Sequence, residues 1–269
     1  MEDNPKKINI IEGKDLIKEF TVGKKDIRVL KGLNFEIKEG EFVMINGPSG
    51  CGKSTLMNIM NGWDGPTSGS VILDGENLFD RNENKRAKML RSRVGMVHQA
   101  AFWVKSLNVI DNISIPYILD GKKKKEAKKR AYKLLQILGL EGFQYYKPMD
   151  LSGGQQQRIS LLRSLVNNPK ILMADEPTGN LDSKSSVLLM NLFKAINEEL
   201  GRTIVMVTHN LELLDFASKV VYIKDGQITN IEVRRKPKGT TEYTKDILDL
   251  SKSFVKADEE EEQEMAVVG

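Results

Sequence analysis

Residues Gly47-Pro48-Ser49-Gly50-Cys51-Gly52-Lys53-Ser54 fit the spacing G-x-x-x-x-G-K-S/T. Glycines let backbone N–H groups converge on phosphate oxygens without a Cβ in the way. A helix opening at Lys53 adds the equivalent of about half a positive charge at its N-terminus. Lys53 then reaches the β- and γ-phosphates of a nucleotide. Ser54, followed by Thr55, supplies an oxygen to Mg2+. The pattern arises by chance in roughly one chain of this length in a hundred. The apolar run Phe42-Val43-Met44-Ile45 before it and the helical pattern after it make a casual Gly-rich turn a poor explanation.

Two further segments carry chemistry. Ile171-Leu172-Met173-Ala174-Asp175-Glu176 is an apolar strand ending in two carboxylates. Parallel sheets bind ligands beyond the carboxyl ends of their strands. Asp175 is therefore placed to hold Mg2+ through water, and Glu176 to polarise a water against the γ-phosphate. Leu151-Ser152-Gly153-Gly154-Gln155 is a second Gly-rich loop opening a helix. Ser152 can cap that helix, and the exposed N–H groups of the loop form another anion site. With no lysine adjacent, this loop suits a phosphate already neutralised by Lys53 and Mg2+.

The elements that must position these residues alternate in type. Strands are expected at 8–20, 26–37, 42–45, 71–73, 94–97, 170–174, 203–208 and 219–224. Helices are expected from Lys53 to Gly62, at 82–92, at 183–200 and at 210–217. Between them, residues 108–140 read as two helices, the second amphipathic with Ala131, Leu134, Leu135 and Leu138 on one face. A further helix runs from the glycine pair to Asn167. This alternation predicts an α/β fold with a parallel sheet and a helical insertion near 100–150.

Composition narrows the classes. The chain has 269 residues, 41 Lys+Arg against 37 Asp+Glu and a net charge of +4. No run of eighteen apolar residues exists, so the chain is not expected to span a membrane by itself. Its opening residues, MEDNPKK, lack the pattern of a secretory leader. One cysteine, Cys51, permits no intrachain disulfide and fits a reducing compartment. Residues 122–130 carry seven positive charges and one negative, and 258–264 carry six negatives. Few aromatics interleave with the basic run, which argues against nucleic acid. Solvated helix face, or contact with anionic headgroups or an acidic partner, are its two readings.

Taken in order, the segments 47–54, 151–155 and 171–176 resemble the Walker A, signature and Walker B motifs of the nucleotide-binding subunit of ATP-binding cassette (ABC) transporters. The resemblance covers about residues 8–230, with a helical subdomain inserted at about 100–168 and an extension at 231–269 ending in the acidic tail. It implies an α/β P-loop NTPase core with a mostly parallel sheet and an N-terminal antiparallel β subdomain. It also implies roles for four more residues. Gln99 matches the glutamine that senses Mg2+ and links the core to the helical subdomain. His209 matches the switch histidine at the γ-phosphate, and Asp182 the aspartate of the loop after Walker B. Phe20 sits where the family places an aromatic that stacks on adenine. The stretches 174–182 (ADEPTGNLD) and 62–69 (GWDGPTSG) look like the lipoprotein-release and macrolide-export branch. His98 stands where that branch commonly has Phe.

The resemblance implies an ATPase that dimerises head to tail, with ATP between the Walker A of one copy and the signature of the other. The second copy is the same chain or a paralogous cassette, and the pair powers an integral membrane subunit. That would hold it on the cytoplasmic face of the cell membrane through its partner. An ATP-gated module acting on soluble partners, as in iron–sulfur cluster assembly, is the alternative. Phe102 and Trp103, next to Gln99, have two readings: they line the groove that receives the membrane partner, or they belong to the core of the helical subdomain. Cys51, near a helix N-terminus, is expected to be an activated thiol whose alkylation blocks nucleotide binding.

Overall fold

The computed structural model describes residues 8–234; the basic stretch 234–238 beyond its first residue, the helix expected at 243–254 and the acidic tail lie outside the described residues. Two sheets divide the strands. The first is antiparallel, in the order β2-β1-β4-β5, from β1 (Asn9–Val22), β2 (Lys25–Lys38), β4 (Ser68–Leu73) and the two-residue β5 (Glu76–Asn77). The second runs β10-β9-β3-β8-β7-β6, from β3 (Phe42–Asn46), β6 (Val94–His98), β7 (Ile171–Asp175), β8 (Thr203–Val207), β9 (Lys219–Lys224) and β10 (Gln227–Val233). Its strands are parallel except at the β9–β10 edge.

The central strands read as unbroken apolar runs because both faces of the sheet are covered. Successive side chains go to two different cores. Phe42, Met44, Leu172, Ala174, Ile204 and Met206 pack with the helices inserted between β6 and β7 and with α6 (Ser183–Glu199). Val43, Ile45, Ile171, Met173, Val205 and Val207 pack with α1 (Lys53–Met60) and the antiparallel sheet. The period of two along each strand thus distributes one sequence between two cores.

The insertion holds α3 (Val109–Leu119), α4 (Lys124–Ile137) and α5 (Gly153–Leu165), following α2 (Glu83–Arg93) and β6. Asn108 caps α3 by accepting from the N–H of Asp111, and Asn82 caps α2 through Lys85. On α4, Ala131, Leu134 and Leu135 are buried while Lys124, Lys125, Lys129 and Lys133 face solvent, as the amphipathic pattern predicts. α5 lies tight on β6: a Cβ on Gly95 would stand 2.3 Å from the carbonyl oxygen of Ser164.

Three expectations change. The helix expected at 210–217 is a 3-10 helix over Leu211–Phe216, opened by Asn210, whose side chain accepts from the N–H of Glu212. Only six residues separate the cap from Ala217, too few for the apolar stripe of a longer helix. The short β5 carries no apolar alternation and gave no sequence signal. β10 runs to Val233, across the boundary expected at 230, because its edge position leaves it polar and weakly patterned.

Candidate functional site

The sheet register assembles the site. Ile45 pairs with Val207, Val207 with Asp175, and Asp175 with His98. The loops leaving β3, β8, β7 and β6 therefore emerge side by side at one carboxyl edge. They carry, in that order, the Gly-rich loop, His209, Glu176 and Gln99.

The Gly-rich loop is held close to its surroundings. A Cβ on Gly47 would lie 2.0 Å from the carbonyl oxygen of Ile223, so only glycine fits. Gly52, at φ 107°, turns the chain into α1 from the left-handed region. Lys53 is buried, and its Nζ donates to the carbonyls of Gly47 and Pro48, each at 2.8 Å. Ser54 is exposed at the helix start. These residues open on a cavity of about 550 Å³ whose lining includes Ser49, Gly50, Lys53, Ser54, Thr55, Glu176 and His209. Val29 of β2 also lines it, and no motif pointed to that residue.

Glu176 takes a φ of 44°, a left-handed backbone uncommon outside glycine. Its N–H donates to the carbonyl of Val207 at 3.0 Å, and its carbonyl accepts from the N–H of Gly179 at 3.0 Å. This turn swings its carboxylate to within 3.1 Å (Oε1) of His209 Nδ1. His209 is aimed by its neighbour Thr208, whose carbonyl accepts from Asn46 Nδ2 at 3.0 Å. Asp175 keeps its carboxylate toward β7's end. Burial, and then the adjacent Glu176, raise its pKa above the usual range, while Lys53 opposes them. Its Oδ1 is buried with no hydrogen-bond partner among the described residues. An orphaned buried carboxylate oxygen suits a hard divalent cation. Mg2+ commonly takes one or two protein ligands and completes its shell from substrate phosphates and water. Gln99 is exposed and approaches the turn after Glu176: a Cβ on Gly179 would stand 2.6 Å from Gln99 Nε2.

The second Gly-rich loop lies apart from that cavity. Ser152 caps α5 with its side chain accepting from the N–H of Gln155 at 3.3 Å. Gln155 Oε1 in turn accepts from the N–H of Ser152 at 3.0 Å, closing a capping box. Asp182 caps α6, accepting from the N–H and hydroxyl of Ser185 at 2.9 and 2.7 Å. Those bonds, the backbone one first, hold its carboxyl below the usual range. Neither Asp182 nor Ser152, Gly153, Gly154 or Gln155 lines the cavity around Lys53.

Phe20 sits on the β1–β2 hairpin, outside the lining of that cavity, with Lys18 Nζ 4.8 Å from its ring centroid. Two site expectations need revision. Cys51 is buried, packed in the core shared by α1 and the antiparallel sheet, so its thiol is not the accessible nucleophile that the helix N-terminus suggested. Phe102 and Trp103 part company. Trp103 donates from Nε1 to Gln156 Oε1 at 2.9 Å and lies under Arg163, 4.6 Å away, fixed to α5. Phe102 is 71% exposed and meets His98 edge-on at 5.1 Å, while Trp63 stacks on His98 at 5.0 Å. Burial, and then Arg163, push the His98 pKa down to about 4, so the ring between these aromatics is neutral. Trp63, Arg86, Leu90, Val94 and Met96 border a second cavity of about 500 Å³.

One buried polar residue lies outside every motif. Gln157, 4% exposed, reaches from α5 into the junction between Gln99 and the turn after Glu176. Its signal was a polar side chain at i, with Leu161 and Ser164 buried at i+4 and i+7.

These arrangements define a nucleoside-triphosphate-binding cassette. The pattern of the ABC transporter family matches residues 30–179. The chain is 47% identical over 222 residues to an uncharacterized ABC transporter ATP-binding protein of Methanocaldococcus jannaschii, covering 82% of this chain and 99% of that one. It is 42% identical over 201 residues to the lipoprotein-releasing system ATP-binding protein LolD 1 of Chlorobium chlorochromatii, covering 74% and 82%. A second M. jannaschii cassette, solved as a dimer in a post-hydrolysis state bound to ADP and Pi, superposes with a TM-score of 0.78 at 40% identity, over 84% of this chain and 99% of that one. The chain belongs to the ABC transporter ATP-binding family and is an ATPase.

Proposed function

We propose that this ATPase is the motor subunit of a membrane complex, closing as a head-to-tail dimer on ATP. One observation carries the reading. Lys53, Ser54, Glu176 and His209 share a cavity, while the capped N-terminus of α5 lies outside it. An anion site that its own chain leaves apart from the phosphate loop finds its use in a second chain. The dimeric cassette among the relatives supports this.

In this reading Gly47, Pro48, Ser49, Gly50, Cys51, Gly52 and Thr55 cradle the phosphates through backbone N–H groups, and Lys53 balances their charge. Ser54, Asp175 and Gln99 would hold Mg2+, which would supply positive charge against that building on the phosphate oxygens. Glu176 orients and deprotonates the attacking water, and His209 steadies both the carboxylate and the γ-phosphate. Ser152, Gly153, Gly154 and Gln155 face the partner's ATP, with Asp182 beside them. Phe20, exposed on the β1–β2 hairpin, stacks on adenine. The membrane subunit docks beside Phe102 and Trp63, next to the 500 Å³ cavity. Among the described residues no helix is long and apolar enough to cross a membrane, so membrane attachment falls to that subunit.

A photo-crosslinker at position 102 in native membranes tests the reading, with the captured protein identified by mass spectrometry. Capture of a polytopic membrane protein supports it. Capture of soluble proteins alone moves the chain to the soluble-module reading. For the dimer, the mass of Glu176→Gln with ATP is measured by light scattering; a monomer at every ATP concentration overturns the head-to-tail closure.

A further inference from the structure

Gln157 joins three segments that the ATPase reaction uses separately. Its Nε2 donates to the carbonyls of Pro177 at 2.8 Å, His98 at 2.9 Å and Gln99 at 3.3 Å. Two of these acceptors flank the start of the Gln99 loop. The third belongs to the residue immediately after Glu176. All three partners are carbonyls, so the amide nitrogen must face them and the orientation of the group is fixed. Its Oε1 then points away, buried and without a hydrogen-bond partner among the described residues. Leaving a carbonyl oxygen so costs free energy that a Met or Leu of similar volume would avoid. A polar side chain kept there at that cost has work for its N–H groups.

We propose that Gln157 is a positioning residue for hydrolysis, through which the first turns of α5 set the placement of Glu176. The path is short. Gln157 lies two residues beyond the capping box that ends in Gln155. Its amide grips the Pro177 carbonyl, and proline has a locked φ, so displacement of that carbonyl is passed to Glu176 with little slack. Glu176 itself holds a left-handed φ of 44°, a conformation that persists only when its surroundings impose it. Movement of α5 when a second chain engages its N-terminus therefore arrives at the carboxylate and, through His98 and Gln99, at the neighbouring loop together. Gln157 touches no reacting atom; it acts through Glu176.

The inference rests on Glu176 being the base, and the experiment separates the two. Gln157→Met, in the full chain, keeps volume and removes both donors. Its kcat should fall at least about tenfold, with ATP affinity and KM within about threefold of the parent. In a Glu176→Gln background the same substitution should slow single-turnover hydrolysis no further. An unchanged kcat, a loss of affinity matching the loss of kcat, or a full multiplicative loss in the Glu176→Gln background overturns the proposal. Gln157→Glu serves if the Met variant does not fold. A protonated carboxyl retains one O–H donor and an ionised one none, so its kcat relative to the parent should climb as pH falls from about 8 to about 6. A flat ratio overturns the proposal. Parent-rate turnover by Glu176→Gln alone sinks the base assignment instead, whatever the Gln157 variants do.

Discussion

His209 Nδ1 stands 3.1 Å from Glu176 Oε1, although the two residues leave different strands, β8 and β7. The parallel pairing of Asp175 with Val207 brings the strand ends level, and the left-handed turn at Glu176 supplies the rest. The carboxylate is mostly covered and the imidazole mostly open. One member of the pair is thus fixed by the fold, and the other stands open to solvent.

Glu176→Gln should bind ATP at near-parent affinity and lose about 100-fold or more in turnover, the usual range for a general base. His209→Ala should lose about 100-fold, as for removal of one transition-state donor. Steady-state phosphate release beside equilibrium binding of a fluorescent ATP analogue reads both. Full turnover by Glu176→Gln would falsify the assignment.

Lys53→Ala should act on binding itself. It removes a charge-assisted contact, worth about 1.5–3 kcal/mol, and strips the partner from the Gly47 and Pro48 carbonyls. Affinity for ATP should drop about tenfold to 100-fold, read by titration calorimetry. A kcat-only defect would contradict the loop's role.

Cys51 should resist alkylation in the folded chain with or without ATP. Its labelling rate by a maleimide should follow the unfolded fraction as urea is added, because the thiol is buried. Fast labelling of native protein, blocked by ATP, would restore the exposed-thiol expectation.

His98 makes stability depend on pH. Its folded pKa, about 4, lies below the ordinary histidine value of 6.5. The unfolded chain therefore takes up the proton first, and stability falls as pH drops from 6.5 toward 4. His98→Phe should remove that component. The stability difference, variant minus parent, should grow on going from pH 7.5 to pH 5 in urea melts. A difference independent of pH would mean that the ring is not buried neutral in solution.

Trp103→Ala should cost about 2–3 kcal/mol, somewhat under the range for a fully buried tryptophan. It loses packing on the helical core, the bond to Gln156 and the stacked Arg163. Phe102→Ala should change stability by about 0.5 kcal/mol or less. Equal costs in thermal melts would refute the division between them.

The parallel sheet and the phosphate loop were legible because their causes are local. Strands buried on both faces leave apolar runs, and Lys53 and Ser54 hold a fixed offset from the glycines. Asp175, Glu176 and His209 could be placed because each sits one or two residues past such a run. What the sequence withheld depends on side-chain direction across elements. Nothing in the pair Phe102-Trp103 says which ring turns toward α5. Cys51 occupies a loop position that looks solvated until the packing of α1 on the antiparallel sheet is known. Gln157 resembles its neighbours Gln155 and Gln156, and only its helical phase relative to Leu161 and Ser164 sets it apart.

In the proposed head-to-tail dimer, the capping box on α5 bears on partner choice. Ser152 and Gln155 spend their side chains on each other's backbone N–H groups, so the N–H groups left to the loop for an outside partner are those of Gly153 and Gly154. Peptide groups are alike in every chain that keeps the box. A paralogue with the same box would offer an incoming phosphate the same surface, and the loop could not tell self from sibling.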